Sequence, residues 1–221
     1  MPTQARRITL SFDNGPDPEV TPQVLDVLAK AGLKATFFVL GDKLRDPVRK
    51  ATAERARAEG HWIGNHTFHH ALPLGLSADP DIAAKEIGRT HELMAGLADQ
   101  RRLFRPFGGG GKLGPHLLSR AALDYLIAGK YTCVLWNAVP GDWRNPRGWV
   151  PRALKQCAAL DWSLVVLHDL PTGAMDRLDR FIARAREEGA TFVQDFPPAC
   201  MPLVRGRVVG AIDGYVTDTA A

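Results

Sequence analysis

The sequence predicts an α/β fold with a largely parallel sheet, and three observations lead there. Short β-type runs alternate with helix-type runs along most of the chain. The runs are separated by Gly, Pro, Asn and Asp, the residues that stop regular structure. The side chains with chemistry to offer fall just past the runs that read as strands, where such folds carry their sites.

The elements follow in order. Residues 8–12 form an apolar strand. A helix then starts with Thr21 as cap and Pro22 at the first helical position, aligns Val24, Leu25 and Leu28 on one face, and stops at Gly32. A strand at 35–40 is followed by a helix at 47–59 that Gly60 terminates, and a short strand at 62–64 by a helix at 81–97. A strand at 103–105 leads to a helix at 115–128 closed by Gly129, and a strand at 131–136 to a helix at 149–160. The last pair is a strand at 163–168 with a helix at 175–188, before a final strand at 191–194. That makes about seven strands, in a parallel barrel or an open doubly wound sheet.

Length and composition bound the rest. The 221 residues suit one domain over 1–221, with an extension at about 200–221 beyond the repeating pattern. Gly206, Gly210 and Gly214 lie among valines in that extension, as in a hairpin or an arm packed on a partner. Hydrophobic residues at 45% and charged residues at 24% describe an ordinary globular chain. A net charge of +4 from scattered Lys and Arg argues against nucleic-acid binding. Cys133, Cys157 and Cys200 lack metal-type spacing and sit among apolar neighbours, as reduced core thiols do. There is no apolar stretch of membrane-spanning length and no leader-like N-terminus, so no membrane association and a cytoplasmic location are expected. The oligomeric state is left open.

The chemically capable residues converge at strand ends: Asp13 and Asn14, His66 and His70, Arg105, Asp142 and His168. His66 and His70 are four residues apart, so a helical turn would project both imidazoles from one side, where they could share a metal. The bland alternative is that His61, His66, His69 and His70 form merely a polar loop, in which only two of the four need mean anything. Asp13-Asn14-Gly15-Pro16 is a tight turn straight after the first strand. The run Gly108 to Gly111 lacks the Lys-Ser or Lys-Thr spacing of a nucleotide loop and reads as a flexible substrate loop.

Five ordered blocks resemble the NodB-type polysaccharide deacetylases, carbohydrate esterase family four. They are Ser11-Phe12-Asp13-Asn14-Gly15-Pro16, His66-Thr67-Phe68-His69-His70, Arg105-Pro106-Phe107-Gly108, Asp142-Trp143 and Val166-Leu167-His168-Asp169. The segments Ala35-Thr36-Phe37-Phe38-Val39 and Gly64-Asn65 are also similar, and the resemblance runs from about Arg7 to Gln194. It implies a distorted (β/α) barrel and a metal-dependent hydrolase that removes an N-acetyl or similar acyl group from an amino sugar, glycan or small amide.

The resemblance further implies roles. Asp13 would be the general base, oriented by Arg105. Asn14, His66 and His70 would surround a divalent metal, zinc by expectation and cobalt or nickel as alternatives, with a water activated there as nucleophile. The Phe107 N–H would help stabilise the oxyanion, and His168, held cationic by Asp142, would protonate the departing amine. Trp143 and Val166 would wall a small acyl pocket.

Three features depart from the family pattern. Asn14 stands where the family usually has a second Asp that ligates the metal, so weaker metal binding is expected. Val139 stands where the first Asp of the fourth block is common, and the third block is one residue shorter before Phe107. The alternative reading is a catalytically lapsed, deacetylase-like carbohydrate-binding protein, because Asn14 has replaced that Asp.

Overall fold

The computed structural model describes residues 6–217. In chain order the elements are β1 (Arg7–Asp13), α1 (Val20–Ala31), β2 (Thr36–Val39), α2 (Pro47–Ala58), β3 (Trp62–Asn65), α3 (Arg89–Leu93), β4 (Leu103–Phe104), β5 (Leu118–Ser119), α4 (Arg120–Ala128), β6 (Thr132–Cys133), α5 (Trp149–Ala158), β7 (Trp162–His168), α6 (Leu178–Glu187), β8 (Thr191–Phe192), β9 (Leu203–Val204), β10 (Arg207–Val208) and β11 (Val216–Thr217). Nine strands form one sheet in the order β10-β9-β6-β4-β3-β2-β1-β7, with β8 also on β1.

Every pairing from β6 round to β7 is parallel. The sheet curls until the chain beyond β6 meets β7 at a single parallel bridge, Ala138 to Val165. Two hydrogen bonds make that seam, Ala138 N–H to Leu164 O at 3.2 Å and Val166 N–H to Ala138 O at 3.0 Å. The architecture is therefore a distorted barrel, and the open sheet is set aside.

β1 pairs with β2, β7 and β8 and is buried from Ile8 to Asp13. Successive side chains of a strand point to opposite faces. Ile8, Leu10 and Phe12 join the core built with Val24, Leu25 and Leu28 of α1 and Phe181 of α6. Each such side chain contributes about 1.5–3 kcal/mol on burial, and Phe12→Ala is expected to cost about 3–5 kcal/mol. The alternate residues Thr9, Ser11 and Asp13 face the other way, which directs the Asp13 carboxylate into the barrel.

Several element limits differ from the sequence reading, each for a local physical reason. Thr21 does not cap α1: its hydroxyl accepts from Asp17 N–H at 2.8 Å, while Asp17 Oδ1 accepts from Glu19 and Val20 N–H at 3.1 and 2.9 Å. α4 starts at Arg120 rather than 115, because Ser119 accepts from Ala122 N–H at 3.1 Å and the preceding Leu118–Ser119 pairs with β11. The helix expected over 81–97 is a π-type turn at Ala84–Gly88 running into the short α3. The strand expected over 131–136 keeps only Thr132–Cys133 in the ladder, since the Val134 and Leu135 carbonyls accept from Arg105 instead.

Of the two readings for the C-terminal segment, the hairpin is the one seen. β9 and β10 turn through Arg205 and Gly206, both at positive φ (48° and 76°), the backbone that a two-residue hairpin turn requires. β9 extends the large sheet through Cys133 to Leu203, β11 pairs with β5, and Leu203, Ile212 and Val216 are buried. Residues 218–221 of that segment lie outside the described residues. Cys133, Cys157 and Cys200 are free and buried, as expected of core thiols. Among the described residues no helix is long and apolar enough to cross a membrane.

Candidate active site

The C-terminal ends of the barrel strands bring all ten sequence-predicted residues together. Asp13, Asn14, His66, His70, Phe107, Trp143, Val166 and His168 line one cavity of about 200 Å³. Arg105 and Asp142 stand behind it, fully buried.

Arg105 is fixed by the strands around it. Its Nη1 donates to Ser11 Oγ at 2.7 Å and Asp13 Oδ1 at 2.8 Å, its Nε to Val134 O at 3.1 Å, and its Nη2 to Leu135 O at 3.2 Å. Burial alone would push the Asp13 carboxyl up. The charge of Arg105 above all, joined by that of His168, outweighs burial and holds Asp13 below the usual carboxylate range. Asp13 is thus ionised at neutral pH.

His66 Nδ1 lies 2.9 Å from Arg105 O. A carbonyl only accepts, so Nδ1 carries the proton and Nε2 keeps its lone pair, 3.6 Å from Asp13 Oδ2. The His70 ring is 4.9 Å from that of His66 and packs on Phe107 at 3.8 Å between centroids. The helical turn expected to align this pair is absent. The segment is a loop in which Thr67 and His70 take positive φ (71° and 56°), and these left-handed residues turn the rings together. Burial above all pushes His70 down to about 3.

Two residues that hold this loop escaped the sequence reading as functional groups. Glu86 Oε2 accepts from the Phe68 and His69 N–H groups, each at 2.9 Å, and its Oε1 pairs with His69 Nδ1 at 2.7 Å. It sits in the π-type turn, a feature frequent at functional sites, and nothing in local spacing announces it. Asn65 Oδ1 accepts from Thr67 N–H at 3.0 Å. His61 is a core residue that accepts from Ala35 N–H at 3.0 Å, so only two of the four clustered histidines face the cavity.

His168 is set from the other side. Asp142 Oδ2 accepts from the His168 N–H and Oδ1 from its Nδ1, both at 2.9 Å. Burial alone would lower the imidazole, but the hydrogen bond and charge of Asp142, with Asp13 and Asp169, raise it above its ordinary value. The Trp143 ring stands edge-on to His168 at 4.6 Å. Beneath the Asp13-Asn14 turn lies Asp169, which takes the Thr21 hydroxyl and is pushed up to about 7 by burial. A Cβ on Gly15 would land on that carboxylate, so the turn approaches as closely as it does only with glycine there.

Gly109, Gly110 and Gly111 all adopt positive φ (55°, 99° and 84°) along the cavity rim. Trp136 Nε1 donates to Gly111 O at 2.9 Å and anchors the end of that loop.

The donor chemistry fits a divalent cation. Asn14 Oδ1 is buried without a hydrogen-bond partner, and His66 Nε2 presents a lone pair to the same cavity as His70. Among the described residues no three His, Cys, Asp or Glu side chains form a metal-holding group. The available set is therefore two imidazoles and an amide oxygen, all neutral.

Comparison with known proteins agrees with this geometry. Residues 1–122 match the family described as Polysaccharide deacetylase. Over 204 residues the chain is 32% identical to a peptidoglycan-N-acetylglucosamine deacetylase of Bacillus cereus, covering 87% of this chain and 88% of that protein. It is 33% identical over 189 residues to the peptidoglycan-N-acetylmuramic acid deacetylase PdaC of Bacillus subtilis, covering 84% of this chain but 37% of that protein's length. A solved family 4 acetyl xylan esterase from Clostridium thermocellum, in complex with a cobalt ion, superposes with a TM-score of 0.68 at 28% identity, over 86% of this chain and 88% of that chain. The chain belongs to the polysaccharide deacetylase family, hydrolases that act on carbon–nitrogen bonds other than peptide bonds. Dependence on a divalent metal is general to that family.

Proposed function

We propose that this chain is a metal-dependent deacetylase that hydrolyses the N-acetyl group of an amino sugar within a glycan or a smaller carbohydrate. One observation carries the reading. A buried carboxylate held below the usual carboxylate range and a partly buried imidazole raised above its ordinary value face a single small cavity beside the donor set of Asn14, His66 and His70.

In this reading Asn14, His66 and His70 hold the cation, zinc by preference, with the His66 tautomer fixed by Arg105 O. The cation supplies Lewis acidity toward the scissile carbonyl and makes water acidic near neutral pH. Asp13, ionised and oriented by Arg105, takes the proton from the attacking water. His168, kept cationic by Asp142, gives its proton to the leaving amine. The Phe107 N–H supports the developing oxyanion, and Trp143 and Val166 enclose the acetyl methyl.

The names of the relatives support carbohydrate N-acetyl groups as the substrate class. The test is acetate release from N-acetylglucosamine oligosaccharides and N-acetylmuramic acid by protein loaded with zinc, cobalt or nickel. Release that a chelator abolishes and added metal restores is expected. No release with any metal, or release that survives chelation, would overturn the reading.

A further inference from the structure

The acyl cavity has a neighbour that the reaction leaves unused. The loops that carry Trp143 and His168 run on into residues 144–147, 172–173 and 176–177, which line a second cavity of about 650 Å³. Arg144, Arg147 and Arg177 face it against one carboxylate, Asp176. Among the described residues none of these three guanidinium groups takes part in a salt bridge, whereas Arg45, Arg49, Arg55, Arg101, Arg105 and Arg184 all do.

A helix also begins here. α5, ten residues long, starts after Gly148 without a side-chain cap, while the short turn Met175–Arg177 leads directly into α6. The partial positive end of α5 adds to the arginines. Three unpaired like charges around a hollow repel one another, and an anion placed among them relieves the repulsion.

The two cavities share a wall. Gly110 lines the first, and a Cβ built on it would stand 2.9 Å from Arg144 Nη2. Trp143 lines the first as well, and the Arg144 guanidinium carbon is 5.5 Å from its ring centroid. A substituent on a sugar held at the acyl cavity would meet Arg144 first.

We propose that this second cavity is a subsite for an oxyanion, a phosphate or carboxylate borne by the N-acylated sugar. The inference rests on the deacetylase reading for its substrate, though not for the anion site itself. Guanidinium forks match the planar edges of both anions, so the shared chemistry is negative oxygen presented in pairs.

Two measurements keep the subsite and the reaction apart. In the first, inorganic phosphate is titrated calorimetrically into chelator-treated protein, wild type against the double variant Arg147→Gln/Arg177→Gln, at surface positions where a fold defect would show as a lowered melting temperature. Saturable binding that weakens about tenfold or more in the variant is expected. No saturable binding, or equal binding in both proteins, overturns the subsite.

In the second, kcat/KM is compared for an N-acetylglucosamine oligomer, N-acetylglucosamine 6-phosphate and N-acetylmuramic acid on zinc-loaded protein. Preference for an anionic sugar that falls about tenfold in the variant is expected, and whichever anion is preferred names its source. A preference for the neutral sugar, or one unchanged in the variant, refutes the proposal. Absence of turnover on all three sinks the deacetylase reading alone, and the phosphate titration then decides the subsite.

Discussion

Replacing Arg105 by Met probes the framework most sharply. Arg105 is fully buried, and its guanidinium donates to the Asp13 carboxylate, the Ser11 hydroxyl and two carbonyls. Methionine fills similar space without charge or donors. The Asp13 carboxylate is then buried without its ion-pair partner, a change that costs about 3–5 kcal/mol. The Val134 and Leu135 carbonyls lose donors at about 1–3 kcal/mol each before relaxation. The total approaches the roughly 5–15 kcal/mol by which domains are stable at all. The pH dependence separates this cause from a simple packing defect. In the wild type the Asp13 pKa lies below its ordinary value of 3.8, so its contribution is complete above that value and is lost as pH falls through the lower folded pKa. In Arg105→Met the carboxylate loses its chief counter-charge and its pKa rises, so protonation relieves the penalty as pH falls through that raised value. The stability gap between the two proteins must therefore narrow on acidification. Urea unfolding of chelator-treated protein from neutral pH downward measures it. A gap under about 1 kcal/mol, or one that stays constant or widens with acid, would refute the reasoning.

The remaining predictions concern the site directly. Asn14→Asp is expected to tighten zinc binding by about 10-fold or more, read by competition with a chromophoric chelator, and equal or weaker binding would count against Asn14 as a ligand. If that variant hydrolyses N-acetyl sugars while the natural chain does not, the lapsed-enzyme alternative holds. His168→Gln should lower kcat by about 100-fold or more with a smaller effect on KM. Asp142→Asn should move the alkaline limb of the rate profile to lower pH, because His168 then loses the partner that raises its pKa and gives up its proton earlier; an unmoved limb removes His168 as the acid. Gly15→Ala should destabilise by about 1–3 kcal/mol, since its methyl would land on Asp169, and Asp169→Ala in the same chain should recover part of that loss in a double-mutant cycle.

Much of this was legible in the residues, for physical reasons that also mark the limits. The strands announce themselves by their apolar side chains, a continuous run from Leu164 to Leu167 in β7 and the alternating Ile8, Leu10 and Phe12 in β1, and both came out within a residue or two of their expected limits. The convergence of the predicted residues on one cavity was legible because the C-terminal ends of parallel strands collect side chains from distant parts of the chain. Residues 131–136 fared worse, since Val134 and Leu135 have strand-forming side chains but spend their carbonyls on Arg105, a long-range contact that no local pattern encodes. Helix spacing between His66 and His70 predicted the correct pairing by the wrong backbone: positive φ at Thr67 and His70 does what a helical turn would have done. Glu86 stayed invisible because its acceptors' partners lie 17 and 18 residues away in sequence.

The charges in the cavity balance in a way that gives Asn14 a definite consequence. Asp13 is matched by Arg105 and His168 by Asp142, each pair with one member fully buried, while Asn14, His66 and His70 are neutral. Environments that push two titratable groups in opposite directions separate base from acid before any substrate arrives. The residues that would hold a cation thus carry no net charge of their own, so its charge is compensated less than it would be with Asp at position 14. Weaker retention and stronger polarisation of a carbonyl are two results of the same missing charge. As a ligand, Asn14 would therefore exchange affinity for electrophilic strength, and the measured affinity and rate of Asn14→Asp need not move together.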